Sequence, residues 1–573
     1  MKSYNELLKI KENNISNYQK TSVSILSDQT IHFLSKIIRK MGIVNLIDIS
    51  IWEAPINQID QQILNDNSEF NNNSFETVII FESSHSLLKK FNLLEDKEKF
   101  AIIEFERIKN LLEKIVDSSN INIILFNFYE LNDFTFGNYS SKNNVSFIYQ
   151  LRKLNFLISE YSLKNIRISI LDISSIQNRI GSEKMFDSKM YINYDMILTL
   201  DSIPYVSKNI IDIILVQKSL FKKCLILDLD NTLWGGIIGD DGIENIELGQ
   251  LGIGKCFVEF QSWIKKLKDR GIIICICSKN DEKIAKNVFI NHPNMVLKLD
   301  DISIFVANWN SKVDNIKSIQ KALNINFDSI VFIDDNPFER DSVKNQIPDI
   351  CVPNIPEDPA DYLSFLCQEN LFETVSTSEL DKDRTKLYQT EFKRIKTKNN
   401  FTDLSSYMSS LNMVSKVEGL NKFNIPRVSQ LSQRSNQFNV RTIRYSEDEL
   451  IKIMKSKKYY SLIFSLNDKF GDYGIISFMI LKKVSKNQIF IENWAMSCRV
   501  IERGVEEFII NYIMDFSKKH FIKNIISEYL ETKKNKLVEN LFPKLGFFAF
   551  QDKYKLEVNS NSNLLETNVK LAK

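Results

Sequence analysis

The residues best suited to chemistry are carboxylates placed where apolar runs end. In Leu227-Asp228-Leu-Asp230-Asn231-Thr232-Leu233-Trp234-Gly235-Gly236, two carboxylates at i and i+2 follow directly on the apolar run Cys224–Leu227. A pair leaving a buried strand at its carboxyl end lies where α/β sheets place their ligands. Like charges this close need a cation, and Mg²⁺ with oxygen ligands suits them. A second pair, Asp334-Asp335, ends the run Ser329–Ile333 in the same way. Two such ends meeting at one edge would set three or four carboxylates around one hard cation. Ser278, ending the run Gly271–Cys277, offers a hydroxyl, and Lys312 opens a helical stretch to Leu323 as a point charge. Both suit phosphoryl oxygens.

Imidazole and thiol chemistry are thinly provided for. The 573 residues hold four histidines, His32, His85, His292 and His520, none at metal-ligand spacing. Seven scattered cysteines make no disulfide framework, and only Cys275 and Cys277 sit close together. With 74 basic and 72 acidic side chains the net charge is +2, which gives no whole-chain pull toward nucleic acid or an anionic membrane. No apolar run approaches the roughly 18 residues that cross a bilayer. The opening residues lack the apolar core of a signal peptide. A soluble, cytoplasmic chain of three or four domains is expected.

The elements that must position the carboxylates divide the chain as follows. After an extension over 1–20, residues 21–220 alternate short apolar runs (Val23–Leu26, Ile43–Ile49, Thr77–Phe81, Ile121–Phe126, Ile166–Asp172) with amphipathic stretches, which predicts an α/β domain with a parallel sheet. A second α/β block, 221–372, has continuous apolar runs, as buried parallel strands should. A helix between its first two runs carries the stripe Cys256, Phe260, Trp263, Ile264, Leu267. Residues 373–400, including the charged segment Glu379 to Lys398, read as a helical linker. The block 401–556 predicts an antiparallel meander (460–466, 475–482, 489–497), a helix (503–518), a strand (524–530) and a further helix (534–544), an α+β layout. Residues 557–573 read as a flexible tail. Between Thr232 and Ser278 the Gly-rich stretch Trp234 to Gly254 suits a hairpin flap and leaves no room for a lid domain. A site with so little cover admits bulky or protein-tethered substrates.

The order carboxylate, carboxylate, hydroxyl, lysine, carboxylate pair resembles the haloacid dehalogenase (HAD) phosphatase superfamily. The resemblance implies that Asp228 attacks phosphorus to give an aspartyl-phosphate, and that Asp230 serves as acid and base. It further implies that Thr232 positions the loop, that Ser278 and Lys312 hold the phosphoryl oxygens, and that Asp334, with Asp335, Asp228 and the Asp230 carbonyl, binds Mg²⁺.

The longer strings Cys224–Gly242, Cys277–Asp281, Asn308-Trp309 and Phe332–Arg340 look like FkbH-like proteins, a HAD subfamily. The likeness runs on through Ser435-Asn-Gln-Phe-Asn439, Phe470-Gly-Asp-Tyr-Gly474 and Met496-Ser-Cys-Arg-Val500. It implies an α/β multidomain chain: an SGNH-like α/β domain, a central HAD-like Rossmannoid parallel sheet with minimal cap, and a GNAT-like α+β domain. It also implies that the chain dephosphorylates 1,3-bisphosphoglycerate and loads a glyceryl unit as a thioester onto an acyl carrier protein for polyketide-type biosynthesis. Cys277, just before Ser278, is then either the thiol that carries the acyl group or a small buried hydrophobe, and Cys275 is core. In the last block Arg499-Val-Ile-Glu502-Arg503-Gly504 stands where such folds carry a pyrophosphate-cradling loop. Glu502 occupies a glycine position, so Arg499, Arg503 and Gly504 are expected to contact a phosphopantetheine arm and not to serve an acetyltransferase. In the first domain Ser27 follows the first strand, but 187–204 holds no histidine, so the domain is expected to be catalytically silent. Two other readings stay open: a phosphatase acting on another phosphorylated metabolite or carrier-bound ester without acyl transfer, and a carrier-binding scaffold around a vestigial core.

Overall fold

The computed structural model describes the chain except residues 12–14, 376–384, 386, 391–393, 395–403, 436, 533, 560–563 and 573. It divides into two compact units, one formed by Met1–Lys218 and the other running from Ser219 through the C-terminal part. Most of the expected linker helix, 379–398, lies outside the described residues.

The first unit is built on β1 (Gln19–Ser27), β2 (Ile47–Glu53), β3 (Thr77–Phe81), β4 (Asn122–Phe126) and β5 (Ile168–Leu171). They form an all-parallel sheet in the order β2-β1-β3-β4-β5. Every residue of β3 is buried, as expected of a central strand covered on both faces. Leu26, Ile80 and Leu125 pack with Leu111, Leu112, Leu151 and Leu154 of the covering helices Phe100–Ser118 and Phe147–Ser162.

In the second unit β6 (Cys224–Leu227), β7 (Ile273–Ser278), β8 (Ile304–Ala307) and β9 (Ile330–Ile333) make a parallel sheet in the order β8-β7-β6-β9. The period-two alternation of strands sends Leu225, Leu227, Ile274, Ile276, Val331 and Ile333 into one apolar cluster. It sends Cys224, Ile226, Cys275, Cys277, Ile330 and Phe332 into the other. β8 was not expected from the sequence: it is four residues long and half of it is only partly buried. The helix Gly252–Asp269 buries Phe257, Phe260, Gln261, Ile264 and Leu267, so Cys256 and Trp263 sit beside the buried stripe instead of within it. Gln261 is wholly buried and paired at both ends of its amide: it donates to the Leu233 carbonyl (2.8 Å) and accepts from Val296 N (2.9 Å) and Leu297 N (3.2 Å).

The remaining strands are β10 (Val414–Glu418), β11 (Tyr459–Asp468), β12 (Gly471–Ser485), β13 (Gln488–Met496), β14 (Asn524–Ser527), β15 (Phe548–Phe550), β16 (Lys553–Glu557) and β17 (Lys570–Leu571). They form one sheet, β15-β16-β14-β13-β12-β11-β10-β17, antiparallel except for β13–β14 and β10–β17. The multidomain α/β layout with an α+β third block therefore holds. Two expectations do not. The helix expected over 534–544 shrinks to a 3-10 turn, Lys536–Val538, and a single turn, Leu541–Lys544. Described residues of the stretch expected to be a flexible tail are seated: Lys570–Leu571 pair with Val414–Ser415, Val569 is buried, and Asn511 exchanges two hydrogen bonds with the Leu565 backbone. Backbone pairing and a buried valine hold 569–571 where a polar sequence suggests fraying.

Candidate active site

The parallel sheet β6–β9 brings the carboxyl ends of β6, β7 and β9 to one edge. Asp228 follows β6, and its amide donates to the Ile333 carbonyl (3.0 Å), so the register fixes it beside Asp334 at the end of β9. Carboxylate oxygens of Asp228, Asp334 and Asp335 lie within 4.8 Å of one another. Lys312, 4% exposed at the start of the helix Lys312–Leu323, bridges two of them, with Nζ 2.9 Å from Asp228 Oδ2 and 2.6 Å from Asp334 Oδ2. Burial and the neighbouring Asp228 push the Asp334 carboxyl up to about 7. Asp228 Oδ1 is buried and accepts no hydrogen bond. An orphaned carboxylate oxygen facing two further carboxylates fits a hard divalent cation with oxygen ligands.

The loop after Asp228 turns back on itself. Asn231 adopts a left-handed conformation (φ 52°) and its side chain accepts from Gly236 N (2.9 Å). Gly236 has φ 90°, a conformation that favours glycine, and a Cβ on Gly235 would press on Glu247 Cβ (3.0 Å) and the Phe257 ring (3.1 Å). Gly235 and Glu247 then exchange backbone hydrogen bonds, which closes the small flap expected over 234–254. Thr232 Oγ1 donates to Asp335 Oδ1 (3.3 Å) and accepts from Asp335 N (3.2 Å), tying the loop to the end of β9.

The Asp230 side chain is not one of the three clustered carboxylates. It accepts from Trp234 Nε1 (2.9 Å), Ile238 N (3.1 Å) and Asn280 Nδ2 (2.9 Å), and burial raises its pKa. Of this residue only the backbone carbonyl is left as a metal donor. Ser278 is buried at the end of β7, where its Oγ accepts from Asn280 Nδ2 (3.2 Å). Sequence reasoning gave no role to Trp234 or Arg340, although each holds the site. Arg340 Nη1 donates to the carbonyls of Asp334 (2.8 Å) and Asp335 (2.6 Å). A helix position five or six residues past a carboxylate pair is the signal that could have found it.

Cys277 is not part of this cluster. Strand alternation turns its side chain to the opposite face from Ser278, where it is wholly buried and 3.7 Å from the Lys312 carbonyl. Burial pushes its thiol well up, in spite of the nearby Lys312. Cys275 lies in the same core cluster.

In the last block, Arg499 and Arg503 both turn to Tyr473. Arg499 Nη2 reaches its carbonyl (3.3 Å), and Arg503 Nη1 its hydroxyl (2.6 Å). Gly504 (φ 76°) lies beneath Thr567, whose Oγ1 donates to its carbonyl (2.5 Å). Glu502 takes a left-handed conformation (φ 61°), and its amide donates to Glu506 Oε1 (3.2 Å). The loop therefore already accommodates an internal carboxylate where an external anion would bind. Burial first, then Glu507 and Glu502, push Glu506 up to about 7. A carboxyl raised above its unfolded value of about 4.3 binds its proton more tightly in the folded state, so it destabilises the fold as pH climbs from there through 7. Glu506→Gln should therefore melt above the wild type at pH 8 and together with it at pH 4, as read by thermal denaturation at the two pH values. In the first unit, Ser27 Oγ donates to the Phe81 carbonyl (2.9 Å) and accepts from Gln29 N, while His85 Nδ1 pairs with Tyr129 (2.6 Å).

Comparison with known proteins agrees with this geometry. The family model described as FkbH, N-terminal domain, matches residues 22–215. The structure of the N-terminal part of the protein BF1531 from Bacteroides fragilis, containing a phosphatase domain complexed with Mg, is 45% identical to this chain. It aligns over 66% of this chain and 100% of its own length, with a TM-score of 0.63. The chain belongs to the FkbH-like HAD phosphatases. The ribosomal-protein-S18-alanine N-acetyltransferase from Escherichia coli is 16% identical over 26% of this FkbH-like chain and 99% of its own, with a TM-score of 0.20, a likeness that carries no argument. No curated protein matches the chain. Among the described residues of this HAD-type phosphatase, no helix is long and apolar enough to cross a membrane.

Proposed function

We propose that this FkbH-like protein hydrolyses a phosphate ester or acyl phosphate of a small metabolite through an aspartyl-phosphate on Asp228. The observation that carries the reading is the buried Asp228 carboxylate, one oxygen on Lys312 and the other without a partner, at a strand end shared with Asp334. In the first step an Asp228 oxygen bonds to phosphorus and the bond from phosphorus to the leaving oxygen breaks, with Asp230 giving that oxygen a proton. In the second, water adds to phosphorus, Asp230 takes its proton, and the Asp228–phosphorus bond breaks to release phosphate. Lys312 and Ser278 hold phosphoryl oxygens, and Thr232 keeps the loop in register with Asp335. Asp228, Asp334 and Asp335, with the Asp230 carbonyl, would hold Mg²⁺, which supplies neutralisation of the phosphoryl charge. Phosphate release that requires both Mg²⁺ and Asp228 tests this reading.

The finer reading adds acyl transfer: 1,3-bisphosphoglycerate as donor, and an acyl carrier protein receiving the glyceryl unit as a thioester. A lysine-bridged carboxylate site under a small flap supports it, since a carrier-borne arm needs open access. The burial and raised pKa of Cys277 favour the plainer hydrolase, because a closed, protonated thiol is a poor nucleophile. Cys277→Ala should release phosphate within about two-fold of the wild type, the small change expected of a core substitution that conserves polarity and nearly conserves volume. Intact-mass spectrometry after mixing the protein, Mg²⁺ and 1,3-bisphosphoglycerate decides the rest. A glyceryl adduct lost in Cys277→Ala would restore the thiol route, whereas phosphate release with no adduct leaves the plainer hydrolase.

A further inference from the structure

Three neutral donors hold the Asp230 carboxylate, and they hold its two oxygens unevenly. Oδ1 accepts from Trp234 Nε1 (2.9 Å) and from Ile238 N (3.1 Å). Among the described residues, Oδ2 accepts only from Asn280 Nδ2 (2.9 Å). A carboxylate has about four lone-pair sites, two on each oxygen. Oδ1 is therefore filled, and Oδ2 keeps one site open.

The two oxygens also differ in what they are joined to. Asn280 Nδ2 lies 3.2 Å from Ser278 Oγ as well. One nitrogen thus links Oδ2 to the hydroxyl that is assigned to the phosphoryl group. That hydroxyl accepts from Asn280, which leaves its own proton to donate to a phosphoryl oxygen. Oδ1 is tied instead to the flap, since Ile238 opens the short helix Ile238–Asp241 and Trp234 lies within the turn that Asn231 and Gly236 close.

Trp234 is a fixed point in that flap. It is wholly buried, and its ring meets Phe289 edge to face, with centroids 6.1 Å apart. An indole has one polar atom, a donor, and a buried donor has to be paired. Turning the carboxylate so that Oδ1 took the place of Oδ2 would leave this N–H without its acceptor.

We infer that Trp234 and Asn280 are positioning residues for the acid–base step, which lock the Asp230 carboxylate so that Oδ2 alone carries the transferable proton. The inference rests on the proposed phosphatase chemistry and adds to it which oxygen works and what holds it there. When the bond from phosphorus to the leaving oxygen breaks, that oxygen keeps the bonding pair and takes the proton from Oδ2. In the second step the attacking water returns a proton to the same oxygen. Oδ1 stays on the indole and the Ile238 amide throughout.

The leaving group reads this out. A p-nitrophenolate anion departs with little help from an acid, whereas phenolate needs more. The quantity to compare is kcat/KM for p-nitrophenyl phosphate and for phenyl phosphate in the presence of Mg²⁺, because it covers the first step and not the hydrolysis of the intermediate. Trp234→Phe keeps a buried ring and removes the N–H. It should lower kcat/KM for phenyl phosphate about tenfold more than for p-nitrophenyl phosphate, a part of the hundredfold or more that a general acid contributes. Asn280→Ala, which disturbs the core less, should separate the two esters in the same direction. Phe289→Leu loosens the packing of the same indole but leaves its N–H, and it should lower both esters alike, as a purely structural role would. Thermal melts of each variant establish that it is folded at the assay temperature. Asp230→Asn should separate the esters by about a hundredfold or more. If it does so while Trp234→Phe and Asn280→Ala lower both esters alike, the acid stands and the positioning inference is overturned. If Asp230→Asn itself does not separate them, the acid–base role of Asp230 fails, and this inference with it.

Discussion

Asp228→Asn should cost about 10⁴-fold or more in kcat, the scale seen when a covalent nucleophile is removed. It should cost the fold nothing. The wild-type carboxylate sits buried beside Asp334 and Asp335, and its Oδ1 has no hydrogen-bond partner. An amide of the same shape removes one of three crowded negative charges, and Lys312 keeps Asp334 as a partner at 2.6 Å. In metal-free buffer the variant should therefore melt at or above the wild-type temperature. Added Mg²⁺ should raise the wild-type melting temperature more than that of the variant, since a ligand that binds only the folded state stabilises in proportion to its affinity. Phosphate release and thermal melts, with and without MgCl₂, check both halves. Activity within tenfold of wild type would remove Asp228 from the nucleophile's place.

Lys312→Met should show the opposite profile, losing both activity and stability. The ammonium is buried between two carboxylates, and burial alone would lower its pKa if Asp228 and Asp334 did not raise it. Breaking a buried pair by removing one partner leaves charge with no compensation, at a cost of about 3–5 kcal/mol. Here two carboxylates are stranded by one substitution. Mg²⁺ should recover part of the loss, because a divalent ion can take over the charge balance. Lys312→Arg, which keeps the charge on a bulkier head, should retain more stability than Lys312→Met but little activity. Melting at the wild-type temperature in metal-free buffer would show that the bridge carries no structural weight.

The centre of this site was legible because strand burial and chemistry coincide there. Cys224–Leu227 and Ser329–Ile333 are uninterrupted apolar runs, each followed at once by acidic residues, and parallel strands put such endings at one edge. Ser278 and Lys312 follow from the same logic. What escaped notice depends on partners far off in sequence. Asp230 is held by Asn280, fifty residues on, and the Asp334 and Asp335 carbonyls by Arg340 from within a helix. The orientation of Cys277 was available in principle: it shares parity with Cys275 in a strand whose other face carries Ile274, Ile276 and Ser278. β8 stayed hidden because four residues, two of them half-buried, give too short a pattern.

The parallel pairing of Lys570–Leu571 with Val414–Ser415 has a consequence for synthesis. Until residues 570 and 571 are made, β10 has no neighbour on its outer side, and Asn511 in the helix Val505–Lys519 still lacks its two hydrogen bonds to the Leu565 backbone. An unpaired strand edge is a template for wrong partners. Pairings between residues this distant in sequence also form slowly, because the chain between them must first be ordered. A nascent chain therefore carries β10 with one open edge from the time that strand is made until residues 570 and 571 can pair with it.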